Sequence, residues 1–180
     1  MRWMWIDRIL ELEPGKRMVA MKNVTLAEDY LHDHFPEQNL ESGKSVPALP
    51  VMPACFIVEG MAQTAGILVG QASDFREKVI LAKIPRAELD FDVFPGQTLL
   101  FRAEIERLDP MGASTRGTVL VLDHHADGSV NQHKLGEIDI FFSHIDQNMA
   151  GVEFPEDNFV FGDNFRALLA ASDIPELSKY

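Results

Sequence analysis

A chain of 180 residues with 46% hydrophobic and 24% charged residues has the composition of one soluble globular domain with room for a real core. Its formal net charge of -12 argues against a nucleic-acid partner, because phosphate binding rests on Lys and Arg. No apolar run is long enough to cross a bilayer, since Glu59 and Gln63 interrupt the best one, so no membrane partner is expected either.

In chain order, residues 3–12 read as a strand, residues 13–16 as a tight turn with Pro14 and Gly15, and residues 18–24 as a second strand with Val19, Met21 and Asn23 on one face. Residues 25–33 form a short irregular or helical piece leading to His34. Residues 37–50 hold Gly43, Pro47 and Pro50 among scattered polar residues. They predict a loop whose length, in a compact domain, points to a functional part. From Pro53 to about Gln71 the chain is apolar almost all round, which predicts a helix buried on every side. Pro53 suits the first helical position, where a missing N–H costs nothing, and Gly66 and Gly70 predict close packing against neighbouring backbone.

Strands follow over 79–91, 98–108 and 114–122, the first two joined by the turn Phe94-Pro95-Gly96-Gln97. Residues 124–132 read as a polar hairpin loop. A last strand over 134–145 places Ile138, Ile140 and Phe142 on one face and Leu135 and Phe141 on the other. Two strands, one buried helix and a meander predict an α+β fold with the helix wrapped by the sheet. Residues 146–180 change character, being acidic and Asn-rich with scattered Phe and a helix-like stretch at 164–171. They read as an extension packed on the 1–145 domain or on a second subunit.

Glu59 is the anomaly of the helix, because a buried charge is costly unless it is paired, protonated or used. His34, just ahead of the long loop, is its foremost partner. A neutral imidazole suits removal of a weakly acidic proton next to a carbonyl. A carboxyl group among apolar side chains has its charged form disfavoured and can donate a proton. Together they suit β-elimination, one group removing the α-proton while the other protonates the departing hydroxyl. The backbone N–H groups of Ala54, Cys55 and Phe56, at the positive end of the helix dipole, would polarise a carbonyl as it becomes enolate-like. Gln63, one turn beyond Glu59, would hold its carboxyl. A histidine before Phe-Pro is nevertheless more often a turn residue than a base, so these residues alone leave the chemistry open.

Other residues read more plainly. His32 and His34 alternate as a metal pair would but lack further ligands, and His124, His125 and His133 belong to a solvated hairpin. Cys55 reads more readily as a small buried residue than as an activated thiolate. Trp3 and Trp5 alternate on a strand and suit core or interface packing. With one cysteine and no signal-peptide layout over residues 1–7, a reducing cytoplasm is the expected compartment.

His34-Phe35-Pro36, Met52-Pro53 and Glu59-Gly60-Met61-Ala62-Gln63 together resemble the 3-hydroxyacyl-(acyl carrier protein) dehydratases of the FabZ type. That family reads His-Phe-Pro-Gly, then Phe-Pro-Gly, then Glu-Ala-Met-Ala-Gln. The resemblance also takes in Ile6-Asp7-Arg8-Ile9-Leu10, Val19-Ala20-Met21-Lys22-Asn23-Val24 and the Phe94–Gln97 turn, and so covers most of the chain. It implies a hotdog fold, a long helix wrapped in a curved antiparallel sheet. It also implies a homodimer, with a trimer of dimers as the further assembly, and an active site at the dimer interface. There the histidine of one subunit is the base at the α-carbon and the glutamate of the other serves the β-hydroxyl. By carry-over these roles fall to His34 and Glu59, with Gln63 in support and the acyl chain in an apolar tunnel beside the helix. The implied reaction converts a 3-hydroxyacyl thioester of acyl carrier protein, with coenzyme A as the other carrier, to the trans-2-enoyl thioester in fatty-acid or related acyl-chain synthesis. No metal or organic cofactor is implied.

The chain departs from the family pattern in four places. The loop at 37–50 is longer, Ala54 replaces a glycine, residues 87–92 are acidic where the family has Arg and Lys, and residues 146–180 have no counterpart in the short members. An acidic strand opposes docking of an acidic carrier, unless Arg76, Lys78, Lys83 and Arg86 form a basic patch. Two other readings therefore stand beside the dehydratase: a hotdog acyl-thioester hydrolase in which a carboxylate activates water, and a non-catalytic acyl-thioester-binding or scaffold subunit.

Overall fold

The computed structural model describes residues 4–145, 160–177 and 180. The first strands, β1 (Arg8–Glu13) and β2 (Arg17–Asn23), pair antiparallel around a turn in which Gly15 takes a φ of 68°. β1 begins later than expected, although Trp5 and Ile6 ahead of it are already buried; Trp3 lies outside the described residues. On β2 the core face is Met18 and Ala20, continued by Lys22. Val19 is buried on the opposite side and Asn23 is exposed.

A short helix α1 (Asp29–Asp33) leads to His34. The loop that follows holds a small hairpin of β3 (Gln38–Asn39) and β4 (Ser45–Val46). Helix α2 (Ala54–Ala72) starts one residue later than expected: Pro53 is its N-cap, with an extended ψ of 129°, and Ala54 is the first helical residue. The helix packs against the sheet, and Met61, Ala65, Ile67, Leu68 and Val69 are fully buried. Burial on every side does not extend to its start. Ala54 and Cys55 are exposed, and Phe56, Val58 and Glu59 are half-buried, with Ile57 the buried side chain among them.

That closeness depends on glycine. A Cβ at Gly60 would lie 2.2 Å from Phe101 Cζ, and one at Gly70 would lie 2.4 Å from Phe161 Cζ, so at both positions an aromatic ring rests on the helix backbone. At Gly66 the nearest atom, on Phe142, would be at an ordinary 3.4 Å. The partners are therefore rings rather than the backbone that was expected.

Strands β5 (Lys78–Leu89), β6 (Gln97–Asp109), β7 (Gly112–His124) and β8 (Val130–Ile145) complete one antiparallel sheet in the order β1-β2-β6-β7-β8-β5. β8 departs from simple alternation. Val119 pairs with Gly136 but Leu120 pairs with Lys134, which leaves Leu135 as an extra, bulged residue. The bulge turns Leu135 into the core with Ile138 and Ile140, while Phe141 stays 45% exposed. At the far edge, β5 meets no further strand among the described residues and leaves Leu81 and Ile84 exposed. Pro85, which has no N–H to offer a ladder, falls where the pairing of β5 with β8 skips from Lys83 to Arg86.

Helix α3 (Asp163–Ala171) lies against β1 and places Phe165, Leu168 and Leu169 in the core. Ser172 Oγ accepts the Ile9 N–H at 3.1 Å and donates to the Leu168 carbonyl at 2.7 Å, pinning the helix end to the strand. Residues 146–159, with Phe154 and Phe159, lie outside the described residues.

Candidate active site

His34 ends α1, its own N–H donating to the Tyr30 carbonyl at 3.1 Å. Its ring Nδ1 lies 2.8 Å from the Val51 carbonyl oxygen. A carbonyl only accepts, so Nδ1 carries the proton and Nε2 keeps the lone pair. The ring stacks on Phe35 at 4.4 Å. The long loop does not push the histidine away from α2, because the Leu49 N–H donates to the Phe35 carbonyl at 2.9 Å and closes the loop at its base. The Met52 N–H donates to the Val93 carbonyl at 2.8 Å, fixing the entry to α2 against the chain that joins β5 to β6.

Between these segments lies a cleft of about 530 Å³. His34, Val51, Ala54 and Ile57 line one side, and residues 89–93, including Asp90 and Asp92, line the other. Ala54 and Cys55 carry N–H groups with no hydrogen bond among the described residues, as the start of a helix dictates. The third expected donor is taken: the Phe56 N–H donates to the Pro53 carbonyl at 2.9 Å. The Phe56 ring turns away from the cleft to pack on Trp5 and Tyr30, at 4.9 and 4.7 Å between centroids. Cys55, expected to be buried, is exposed.

Glu59 is held as its spacing suggests. Gln63, only 2% exposed, donates Nε2–H to Glu59 Oε1 at 2.7 Å, and Gln63 Oε1 accepts the Trp5 N–H at 2.8 Å. Trp5 thus fixes the amide that fixes the carboxyl, a link that sequence spacing does not reveal because the two residues lie 58 positions apart. The Trp5 ring, with Tyr30 and Phe56, also joins α1 to the first turn of α2. Lys22 lies over that ring at 4.7 Å and pairs with Glu28 at 2.5 Å and Asp7 at 3.3 Å. A lysine at a core position of β2 was the one available hint of this cluster.

Glu59 opens onto a second cavity, of about 160 Å³, with apolar walls from α2, β5 and β8. Within one chain, therefore, His34 and Glu59 line different cavities and are not brought together. Of the four basic residues, Arg76 and Lys83 are exposed, Arg86 is half-buried and Lys78 is buried. Arg86 is bound by Glu88, at 2.7 and 3.0 Å, and by Glu137; the Glu88 hydrogen bond raises the guanidinium above its ordinary value. Lys78 is buried, and Arg76 donates to the Ser73 carbonyl. His124, His125 and His133 are exposed and bonded to Thr98, Asn131 and Asp123. Among the described residues no three His, Cys, Asp or Glu side chains gather as metal ligands, and no helix is long and apolar enough to cross a membrane.

A family model described as a FabA-like domain matches residues 2–133. Similar curated proteins include the 3-hydroxyacyl-(acyl carrier protein) dehydratase FabZ of Geotalea uraniireducens, 43% identical over 109 residues that make up 59% of this chain and 66% of that one. The FabZ of Clostridium kluyveri is 33% identical over 117 residues, 64% of this chain and 74% of that one. The chain spans just under two thirds of the length of the Geotalea relative. Among solved structures, the dehydratase heterocomplex ApeI:P of Xenorhabdus doucetiae matches with a TM-score of 0.55 at 14% identity, over 80% of this chain and 84% of that one. A thioesterase family protein of Silicibacter pomeroyi matches with a TM-score of 0.54 at 13% identity, over 77% and 83%. At such identities the likeness is one of fold, and the fold is the hotdog.

Proposed function

We propose that this chain, which belongs to the FabA-like family, removes water from 3-hydroxyacyl thioesters of acyl carrier protein to give trans-2-enoyl thioesters. The observation that carries the reading is the cleft in which His34, its Nδ1 committed to Val51, shares a wall with the unbonded N–H of Ala54. That arrangement presents a basic nitrogen and an oxyanion donor to one substrate. With the thioester carbonyl against the Ala54 and Cys55 N–H groups, His34 Nε2 takes the α-proton. The freed electron pair forms the Cα–Cβ double bond and the Cβ–O bond breaks. A proton from Glu59 joins the departing hydroxyl, which leaves as water. Removal of an oxyanion donor typically costs about 10²–10³ in rate.

The glutamate that completes the site comes, on this reading, from a second copy of the chain. Within one protomer His34 and Glu59 face different cavities, whereas the open edge of β5, with Leu81 and Ile84 exposed, suits pairing with a copy of itself. The homodimer then holds two sites, each with His34 of one protomer and Glu59 of its partner.

The test is mass-spectrometric turnover of 3-hydroxyacyl thioesters on acyl carrier protein and on coenzyme A, with His34→Ala and Glu59→Gln beside the wild type. Loss of water that collapses by orders of magnitude in both folded variants is the expected result. Release of free thiol without enoyl product would point to a hydrolase, and tight binding without turnover to a non-catalytic subunit.

A further inference from the structure

The cavity beside Glu59 has two ends built by different parts of the chain. Its near end is Glu59 itself with Ala62 on α2; its flank is Val79 and Leu81 of β5; its remaining wall includes Val160 and Phe161, from the segment ahead of α3. Phe161 rests on the α2 backbone at Gly70, about one turn beyond Gly66, the farthest α2 residue of the cavity lining. It is only 7% exposed, and its ring is held edge-on by Phe75 at 4.8 Å and against Phe165 at 4.9 Å. Phe165 belongs to α3, which Ser172 pins to β1. The wall is therefore braced against both the helix and the sheet.

We infer that Val160 and Phe161 form the stop of the acyl-binding cavity and set the longest acyl chain accepted. The inference rests on the dehydratase reading, in which the β-carbon of the substrate sits at Glu59 and its alkyl tail continues along α2. The cavity's 160 Å³ is close to the ~150 Å³ of an apolar void that takes one benzene ring, so the tail of a hydroxyoctanoyl chain fits and that of a hydroxyhexadecanoyl chain does not. Gly66 sets the width midway, because a Cβ there meets Phe142 at 3.4 Å without a clash and takes its volume from the cavity.

The experiment compares kcat/KM for hydroxybutyryl, hydroxyoctanoyl and hydroxyhexadecanoyl thioesters in the wild type, Phe161→Leu, Val160→Ala and Gly66→Ala. The wild type should favour hydroxyoctanoyl over hydroxyhexadecanoyl. The hexadecanoyl-to-octanoyl ratio should rise about tenfold in Phe161→Leu, the size of effect that small changes in an apolar pocket produce. It should also rise in Val160→Ala, and the octanoyl-to-butyryl ratio should fall in Gly66→Ala. If Phe161→Leu does not fold, Val160→Ala, at a half-buried position, makes the same measurement. Wild-type turnover with one length profile in all folded variants would overturn the inference alone. No turnover of any thioester by folded wild type would overturn the dehydratase reading and the inference with it.

Discussion

Replacing Gln63 with leucine removes both hydrogen bonds of the Trp5–Gln63–Glu59 chain while keeping the side chain's bulk. The Trp5 N–H, buried in the wild type, loses its acceptor, which costs about 1–3 kcal/mol. The lost bond to Glu59 adds about 0.5–1.5 kcal/mol, and the buried leucine returns about 1 kcal/mol of apolar transfer. The net loss is about 2 kcal/mol, a fall in Tm of about 4–8 °C for a domain of this size. Urea denaturation followed by circular dichroism measures that part. The functional part is a carboxyl free to leave its working position, for which a loss of about tenfold to a hundredfold in kcat/KM is expected. Lowered stability with wild-type kcat/KM would show that the amide supports the fold and not the carboxyl. Wild-type stability would refute the account of the Trp5 N–H.

Three other perturbations test separate parts of the structure. Gly60→Ala gains about 1 kcal/mol of helix propensity but drives a methyl group to 2.2 Å from the fully buried Phe101 ring. Overpacking costs of about 1–3 kcal/mol should prevail and lower the urea midpoint; a raised midpoint would contradict the close approach. Lys22→Met leaves Glu28 partly buried without its cation and should cost about 3 kcal/mol, partly recovered when Glu28→Gln is added. Failure of the second substitution to restore any stability, read by thermal melting, would remove the ion pair from the account. Asp90→Lys with Asp92→Lys reverses the charge on the cleft rim and should raise kcat/KM for a thioester on an acidic carrier protein about tenfold at low salt. A rate indifferent to both the substitution and the salt would place the carrier elsewhere.

The residues that sequence reasoning placed well are those whose signal is local. The apolar run after Pro53 marked the long helix, and the i,i+4 spacing was enough to put Gln63 on Glu59. Alternation along β6 and β7 likewise marked strands close to those observed. What escaped was set by distant parts of the chain. Leu135 faces the core because a bulge shifts β8 against β7, and no alternation rule reports a bulge. The hairpin of β3 and β4 has two residues on each side, too few to carry a period. Phe56 lost its expected role because its N–H closes a tight turn on Pro53 and its ring finds Trp5 and Tyr30. Phe161 was visible only as one aromatic among several in an acidic segment; its place at Gly70 depends on a helix closing over the sheet from the far end of the chain.

Subunit complementation tests the central claim, a site made of His34 from one protomer and Glu59 from another. His34→Ala and Glu59→Gln chains, each inactive alone, are unfolded together in urea, refolded as a mixture and assayed for dehydration. If each site is shared, half of the randomly formed dimers carry one intact site of two, and the mixture should recover about a quarter of wild-type turnover. If the mixture stays inactive although mixed dimers are shown to form, both groups act within one protomer and the shared site is wrong.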